Sequence, residues 1–141
     1  MKVLVDTSVW SCALRRPKHA VLDVQQTQAV ALLSDLIRDG RAVLIGAIRQ
    51  ELLSGIKIPA QFELVKQALA AFNDLTLNHE DYEIAAQCFN TCRAQGIQGA
   101  NTDFLICAVA LQHQFPILSL DRDFVNYRKC LPITLIAPTQ D

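Results

Sequence analysis

The sequence has no long apolar run. None of its apolar stretches approaches the roughly 20 residues of a membrane span. The run Val3 to Val5 behind the first lysine is too short for a signal-peptide core. A cytoplasmic protein that does not engage membranes is expected. Charge imbalance is also missing: 13 basic against 14 acidic residues leave a formal net charge of −1. The chain as a whole therefore exerts no pull on nucleic acid, and any such contact must come from a local patch. Repeats, low-complexity tracts and linker-like stretches are absent too, so residues 1–141 are expected to form a single domain. Cysteine is not plentiful enough for a disulfide framework. The five residues Cys12, Cys88, Cys92, Cys107 and Cys130 are odd in number and mostly in apolar settings, which suggests reduced core thiols. Cys88 and Cys92 are spaced i, i+4, but no second Cys/His pair with zinc-type spacing accompanies them, so packing is preferred over metal binding.

What remains is a chain with 51% hydrophobic residues, long enough to bury a core without staples. Val3 to Val5 does not alternate with polar residues, which marks a strand buried on both faces. It stops at Asp6, and Thr7 or Ser8 can cap a helix that follows over Val9 to Leu14. Pro17 to Asp23 reads as a loop. Val30, Leu33 and Ile37 recur at helical spacing within Val24 to Arg38, with Asp39-Gly40 as the stop. Ala42 to Ile45 is a second strand, followed by a helix carrying Ile48, Leu52 and Leu53. Pro59 suits a first helical turn, and Phe62, Val65, Leu69 and Phe72 share a face behind it. Asp74 to Leu77 is a third strand candidate, and Asn78 caps a helix ending near Gly96. Asn101 is placed to cap a helix in which Phe104 to Leu111 is unbroken apolar sequence, hence buried all round. Pro116 to Leu120 and Ile133 to Ile136 complete the strands, with a short helix at Phe124 and Val125 between them. Strands alternating with helices, paired after the first two strands, predict an α/β fold with a mainly parallel sheet.

Five of the fourteen acidic residues stand apart by position. Asp6 ends the first strand, and Asp121 and Asp123 follow the fourth, so all three belong to the carboxyl edge of the sheet. Asp103 falls in the first turn of the buried helix, and Glu51 lies in Gln50-Glu51-Leu52-Leu53-Ser54-Gly55. Each has an ordinary explanation alone: a cap or turn for Asp6, Asp121 and Asp123, a dipole partner for Asp103, a solvent-facing helix position for Glu51. Together, gathered carboxylates repel one another unless a cation intervenes. A hard divalent ion such as Mg²⁺ or Mn²⁺ takes oxygen ligands and keeps several waters. Such an ion activates water and stabilises charge on a phosphoryl group, and phosphodiester hydrolysis is the reaction that fits.

Four segments in order carry a resemblance: Leu4-Val5-Asp6-Thr7-Ser8-Val9-Trp10, Gln50 to Gly55, Asn101-Thr102-Asp103-Phe104-Leu105-Ile106-Cys107-Ala108, and Ile117-Leu118-Ser119-Leu120-Asp121-Arg122-Asp123-Phe124. In these the chain resembles the PIN-domain ribonucleases, most closely the VapC-type toxins of bacterial toxin–antitoxin modules. The resemblance implies a PIN-like three-layer sandwich, with a central five-stranded, mainly parallel sheet flanked by helices and the first and fourth strands adjacent. It implies a metal-dependent endoribonuclease that uses Mg²⁺ or Mn²⁺. Asp6 and Asp103 would be direct ligands, Glu51 would complete the pocket, and Asp121, with or without Asp123, would form its fourth corner. Thr7, Ser8 and Asn101 would support the site. It also implies an RNA substrate, a transfer or ribosomal RNA, together with a cognate antitoxin and a homodimer. Candidate phosphate contacts are Arg15, Arg16, Lys18, Arg49 and Arg122. His19, His79 and His113 fall outside the four segments, and Trp10 fits core packing better than base stacking.

Two other classes compete. A non-catalytic PIN-like module binding RNA or protein would keep the fold without the metal, and the complete acidic set argues against it. A phosphatase or phospho-acceptor domain would use Asp6 as nucleophile. The haloacid-dehalogenase type needs a second aspartate two residues on, where Ser8 stands, and a receiver domain needs acids ahead of the acceptor strand, where there are none.

Overall fold

The computed structural model describes residues 1–16 and 20–136. The first strand, β1 (Val3–Val5), is wholly buried and lies between two neighbours. On one side is β2 (Ala42–Val43), with Val3 beside Ala42 and Leu4 beside Val43. On the other is β3 (Ile117–Leu118), with Leu4 beside Ile117 and Val5 beside Leu118. β4 (Leu135–Ile136) adds outside β3, giving the order β2-β1-β3-β4, all parallel. Each parallel step needs a helical crossover. The chain supplies α1 (Thr7–Leu14) and α2 (Val24–Arg38) before β2. It then supplies α3 (Gly46–Leu53), α4 (Pro59–Leu69), α5 (His79–Ala94) and α6 (Asn101–His113) before β3, and α7 (Asp123–Tyr127) before β4. The expected mixed α/β fold, a parallel sheet flanked by helices, is what forms.

Local sequence explains most boundaries. Asp23 and Gln26 form a reciprocal capping box that opens α2, and Asn78 and Asp81 do the same for α5. Gly40 and Gly96 take positive φ just past the ends of those helices, where a Cβ would be strained. Residues Phe104 to Ala110 of α6 are all buried, as an all-round apolar helix requires. Trp10 is core: its indole N–H donates to the Val5 carbonyl at 3.1 Å, and its ring meets Phe72 edge-on.

Several expectations are corrected. The sheet has four strands among the described residues, not five, because Asp74 to Leu77 does not pair as a strand. Leu75 donates one backbone hydrogen bond to Leu44, and the Asp74 side chain is drawn to Arg49. β1 keeps the bounds of its apolar run, while β2, β3 and β4 are shorter than the runs that mark them. α1 begins at Thr7 and is capped by the Asp6 side chain, not by Thr7 or Ser8. Asn101 is the first residue of α6 rather than its cap; Ala100 holds that position with no side-chain bond. The thiols are not all reduced. Cys92 at the end of α5 and Cys130 just past α7 are joined in a disulfide, Cα to Cα 5.7 Å, because packing brings those two ends together. Cys12, Cys88 and Cys107 remain free and buried. Cys88 and Cys92 therefore make no metal pair. The loop expected over Pro17 to Asp23 falls partly outside the described residues, as do Lys18 and His19.

Candidate metal centre

The chain leaves β1 toward one side of the sheet and β3 toward the other, so a crevice opens beyond their carboxyl ends. Asp6 and the residues after Leu118 meet there, and the Asp6 backbone N–H donates to Leu118 at 2.9 Å. Asp6 is only 4% exposed. A buried carboxylate needs partners, and its Oδ2 accepts from the Ser8 hydroxyl at 2.7 Å, the Ser119 hydroxyl at 2.8 Å and the Ser8 backbone N–H at 3.3 Å. Burial nevertheless pushes its pKa upward, with these hydrogen bonds opposing the shift. The serines also secure the neighbouring loop: Ser8 Oγ accepts from Leu120 N–H and Ser119 Oγ from Asp121 N–H, both at 2.9 Å.

Asp103, Asp121 and Asp123 each offer a carboxylate oxygen, and the three oxygens lie within 4.8 Å of one another. Asp103 comes from the first turn of α6. The other two come from the loop after β3 and the start of α7, where Asp121 Oδ1 accepts the Asp123 N–H at 2.9 Å. The Asp103 carboxyl is pushed up to about 6. Burial is the main cause, a hydrogen bond from Tyr127 opposes it, and the charges of Asp6, Asp121 and Glu51 raise it further. Those carboxylates are thus near enough to act on it. Glu51 is held on α3 by the Thr7 hydroxyl, which donates to Oε1 at 2.6 Å. No ion pair among the described residues involves any of these five acids.

This donor set suits a hard divalent cation. Every atom offered by the three aspartates is a carboxylate oxygen, and no ion pair among the described residues engages them. Such an all-oxygen set is the kind that Mg²⁺ or Mn²⁺ takes.

The structure separates the remaining sequence candidates. Asn101 lines a groove between α5 and α6 together with Tyr82, Phe89 and Asn90, a groove whose lining includes none of the five carboxylates. Arg49 is fully engaged elsewhere. Its guanidinium donates to Asp74 at 2.8 Å and to the carbonyls of Leu69 and Phe72 at 3.0 and 2.8 Å. Its donors are engaged within the fold, so it is the candidate phosphate contact with an internal structural use. Sequence reasoning missed the roles of Ser119 and Tyr127. Ser119 had a signal, a lone hydroxyl between two apolar residues at a strand end. Tyr127 had none, because only the fold brings it to Asp103.

Comparison with known proteins agrees with this fold. The PIN domain family matches residues 3–129. The chain belongs to the PIN-domain family. Among solved structures, FitAcB from Neisseria gonorrhoeae superposes with a TM-score of 0.72 at 22% identity, covering 96% of this chain and 97% of that one. FitAB bound to an IR36 DNA fragment superposes with a TM-score of 0.74, also at 22% identity, covering 99% and 97%. No curated protein matches the chain by sequence.

Proposed function

We propose that residues 1–141 act as one PIN unit, a divalent-metal-dependent endoribonuclease serving as the toxin of a VapC-type toxin–antitoxin module. The observation that carries this is the convergence of Asp103, Asp121 and Asp123 within 4.8 Å; Asp6 and Glu51 fall outside that group, but their charges act on Asp103. A bound Mg²⁺ or Mn²⁺ supplies an activated water and offsets charge on the phosphate. Asp103, Asp121 and Asp123 would hold it. Asp6 places all its hydrogen bonds on Oδ2, which leaves Oδ1 available as a further ligand. Glu51, pinned by Thr7, adds negative charge that raises the affinity for the cation.

The substrate is RNA, cut at a phosphodiester of a transfer or ribosomal RNA. The partners are a cognate antitoxin, which covers the carboxylates until it is removed, and a second copy of the chain. FitAB is bound to DNA in its structure. A chain with a net charge of −1 attracts DNA weakly, so in this module the antitoxin would supply the DNA contact.

The test is cleavage of a labelled RNA by the chain freed of its partner. Cutting is expected with Mg²⁺ or Mn²⁺, and not with EDTA or with the combined Asp6→Asn and Asp103→Asn variant. Full-rate cleavage by that variant would overturn the mechanism. A folded wild-type chain that binds RNA without cutting it would favour a non-catalytic module.

A further inference from the structure

Tyr127 is fully buried, yet it carries a hydroxyl. A buried phenol needs a hydrogen-bond partner. Here the partner is Oδ2 of Asp103, at 2.6 Å, a short bond of the charge-assisted kind. The ring has little freedom to leave. It packs against Phe104 at 4.9 Å between centroids and edge-on against Phe124 at 5.2 Å.

Gly99 closes the remaining side. A Cβ built there would overlap the Tyr127 hydroxyl oxygen and stand 2.7 Å from both Cε1 and Cζ. Glycine is required here by space, since the backbone of the segment ahead of α6 lies directly against the phenol. Bare backbone on one side and two aromatic rings on the others fix the hydroxyl. The hydroxyl in turn fixes the rotation of the Asp103 carboxylate.

We propose that Tyr127 is a positioning residue for Asp103: its hydroxyl, seated against Gly99, orients the carboxylate for a divalent cation. The proposal rests on the metal-site reading above and adds to it a residue from the far end of α7. Partners that orient a ligand typically matter about 10–100-fold in metal affinity.

The experiment is Mn²⁺ titration of the metal-free full-length chain, followed by the electron paramagnetic resonance signal of free Mn²⁺, with circular dichroism as a check on folding. Tyr127→Phe keeps the ring and removes the hydroxyl, and it should weaken Mn²⁺ binding about tenfold. Gly99→Ala should weaken binding in the same direction by pushing the hydroxyl off Asp103. In the Tyr127→Phe background Gly99→Ala still meets the ring at Cε1 and Cζ and should cost stability, but it should weaken binding less than it does in wild type, because no hydroxyl is left to displace. Leu36→Ala removes core packing at the amino ends of the strands, opposite the carboxylates, and it should lower thermal stability while leaving Mn²⁺ affinity unchanged. If Tyr127→Phe binds Mn²⁺ as wild type does while Asp103→Asn does not bind, the positioning role is wrong and the metal site stands. If Leu36→Ala weakens binding as much as Tyr127→Phe, the loss reflects stability alone and the proposal falls. If wild type fails to bind Mn²⁺, or Asp103→Asn binds as tightly, the metal-site reading fails and takes the proposal with it.

Discussion

Asp6 and Ser119 are joined by a 2.8 Å hydrogen bond across the seam between β1 and β3. Ser119 faces two ways, donating to Asp6 Oδ2 and accepting from the Asp121 N–H. One hydroxyl thereby couples the buried carboxylate to the loop that carries Asp121. Ser119→Ala is expected to cost about 1–2 kcal/mol of stability, since a bond to a buried carboxylate is lost. Ser8 serves the same Oδ2, and its hydroxyl lies 3.3 Å from that of Ser119. Losses from Ser8→Ala and Ser119→Ala should therefore be non-additive. Urea unfolding of the two single variants and the double variant measures this, and simple additivity would show that the hydroxyls act independently.

That network indicates what could be read beforehand. Short apolar runs betray buried strands because both faces are covered, and Asp6, Asp121 and Asp123 could be placed at one sheet edge from chain order alone. Asp74 to Leu77 misled because Leu75 and Leu77 are partly buried in alternation, as in a strand, while the backbone makes only one bond to its neighbour, Leu44. The Cys92–Cys130 link and the Tyr127–Asp103 contact join positions distant in sequence. No local pattern encodes such contacts; they exist only after α5, α6 and α7 pack together. Asp6 shows that two explanations can hold at once, because the carboxylate that caps α1 also faces the acidic site.

Asp103 makes the metal-free protein sensitive to pH. Its carboxyl titrates near 6 in the fold, against an ordinary value of 3.8. The folded state therefore holds the proton more tightly than the unfolded chain does. By linkage, stability from this group is greatest below about pH 4 and declines as pH rises through 6. The full shift would correspond to about 3 kcal/mol, and partial exposure to solvent reduces that to about 1 kcal/mol. In EDTA, Asp103→Asn is expected to be more stable than wild type at pH 7 by about that amount, with the difference vanishing near pH 4. Adding Mn²⁺ should stabilise wild type and reverse the order. Thermal melts of both proteins between pH 4 and pH 7.5 decide the matter; parallel curves would mean that Asp103 carries no such strain.

Arg49 illustrates a charge that serves the fold. It sits on α3 and reaches the turn after α4, where it binds both carboxylate oxygens of Asp74 and the carbonyls of Leu69 and Phe72. Leu69 is the last residue of α4, where carbonyls lack partners within the helix, and Phe72 lies in the turn just beyond. A guanidinium presents its donors as a rigid planar fork, so one side chain serves three acceptor groups; an ammonium is a point charge with a different donor geometry. Arg49→Lys should therefore cost about 1–2 kcal/mol, although the overall charge is unchanged. If Arg49 is structural, RNA cleavage per folded molecule should match wild type at a temperature where both are fully folded. A contact to substrate phosphate would give the opposite pattern: nearly unchanged stability, and a slower rate at low RNA concentration that saturating RNA restores. Because the arginine already has partners on every side, the first outcome is expected. The basic residues that meet RNA should then be sought among Arg15, Arg16 and Arg122, whose side chains form no ion pair among the described residues.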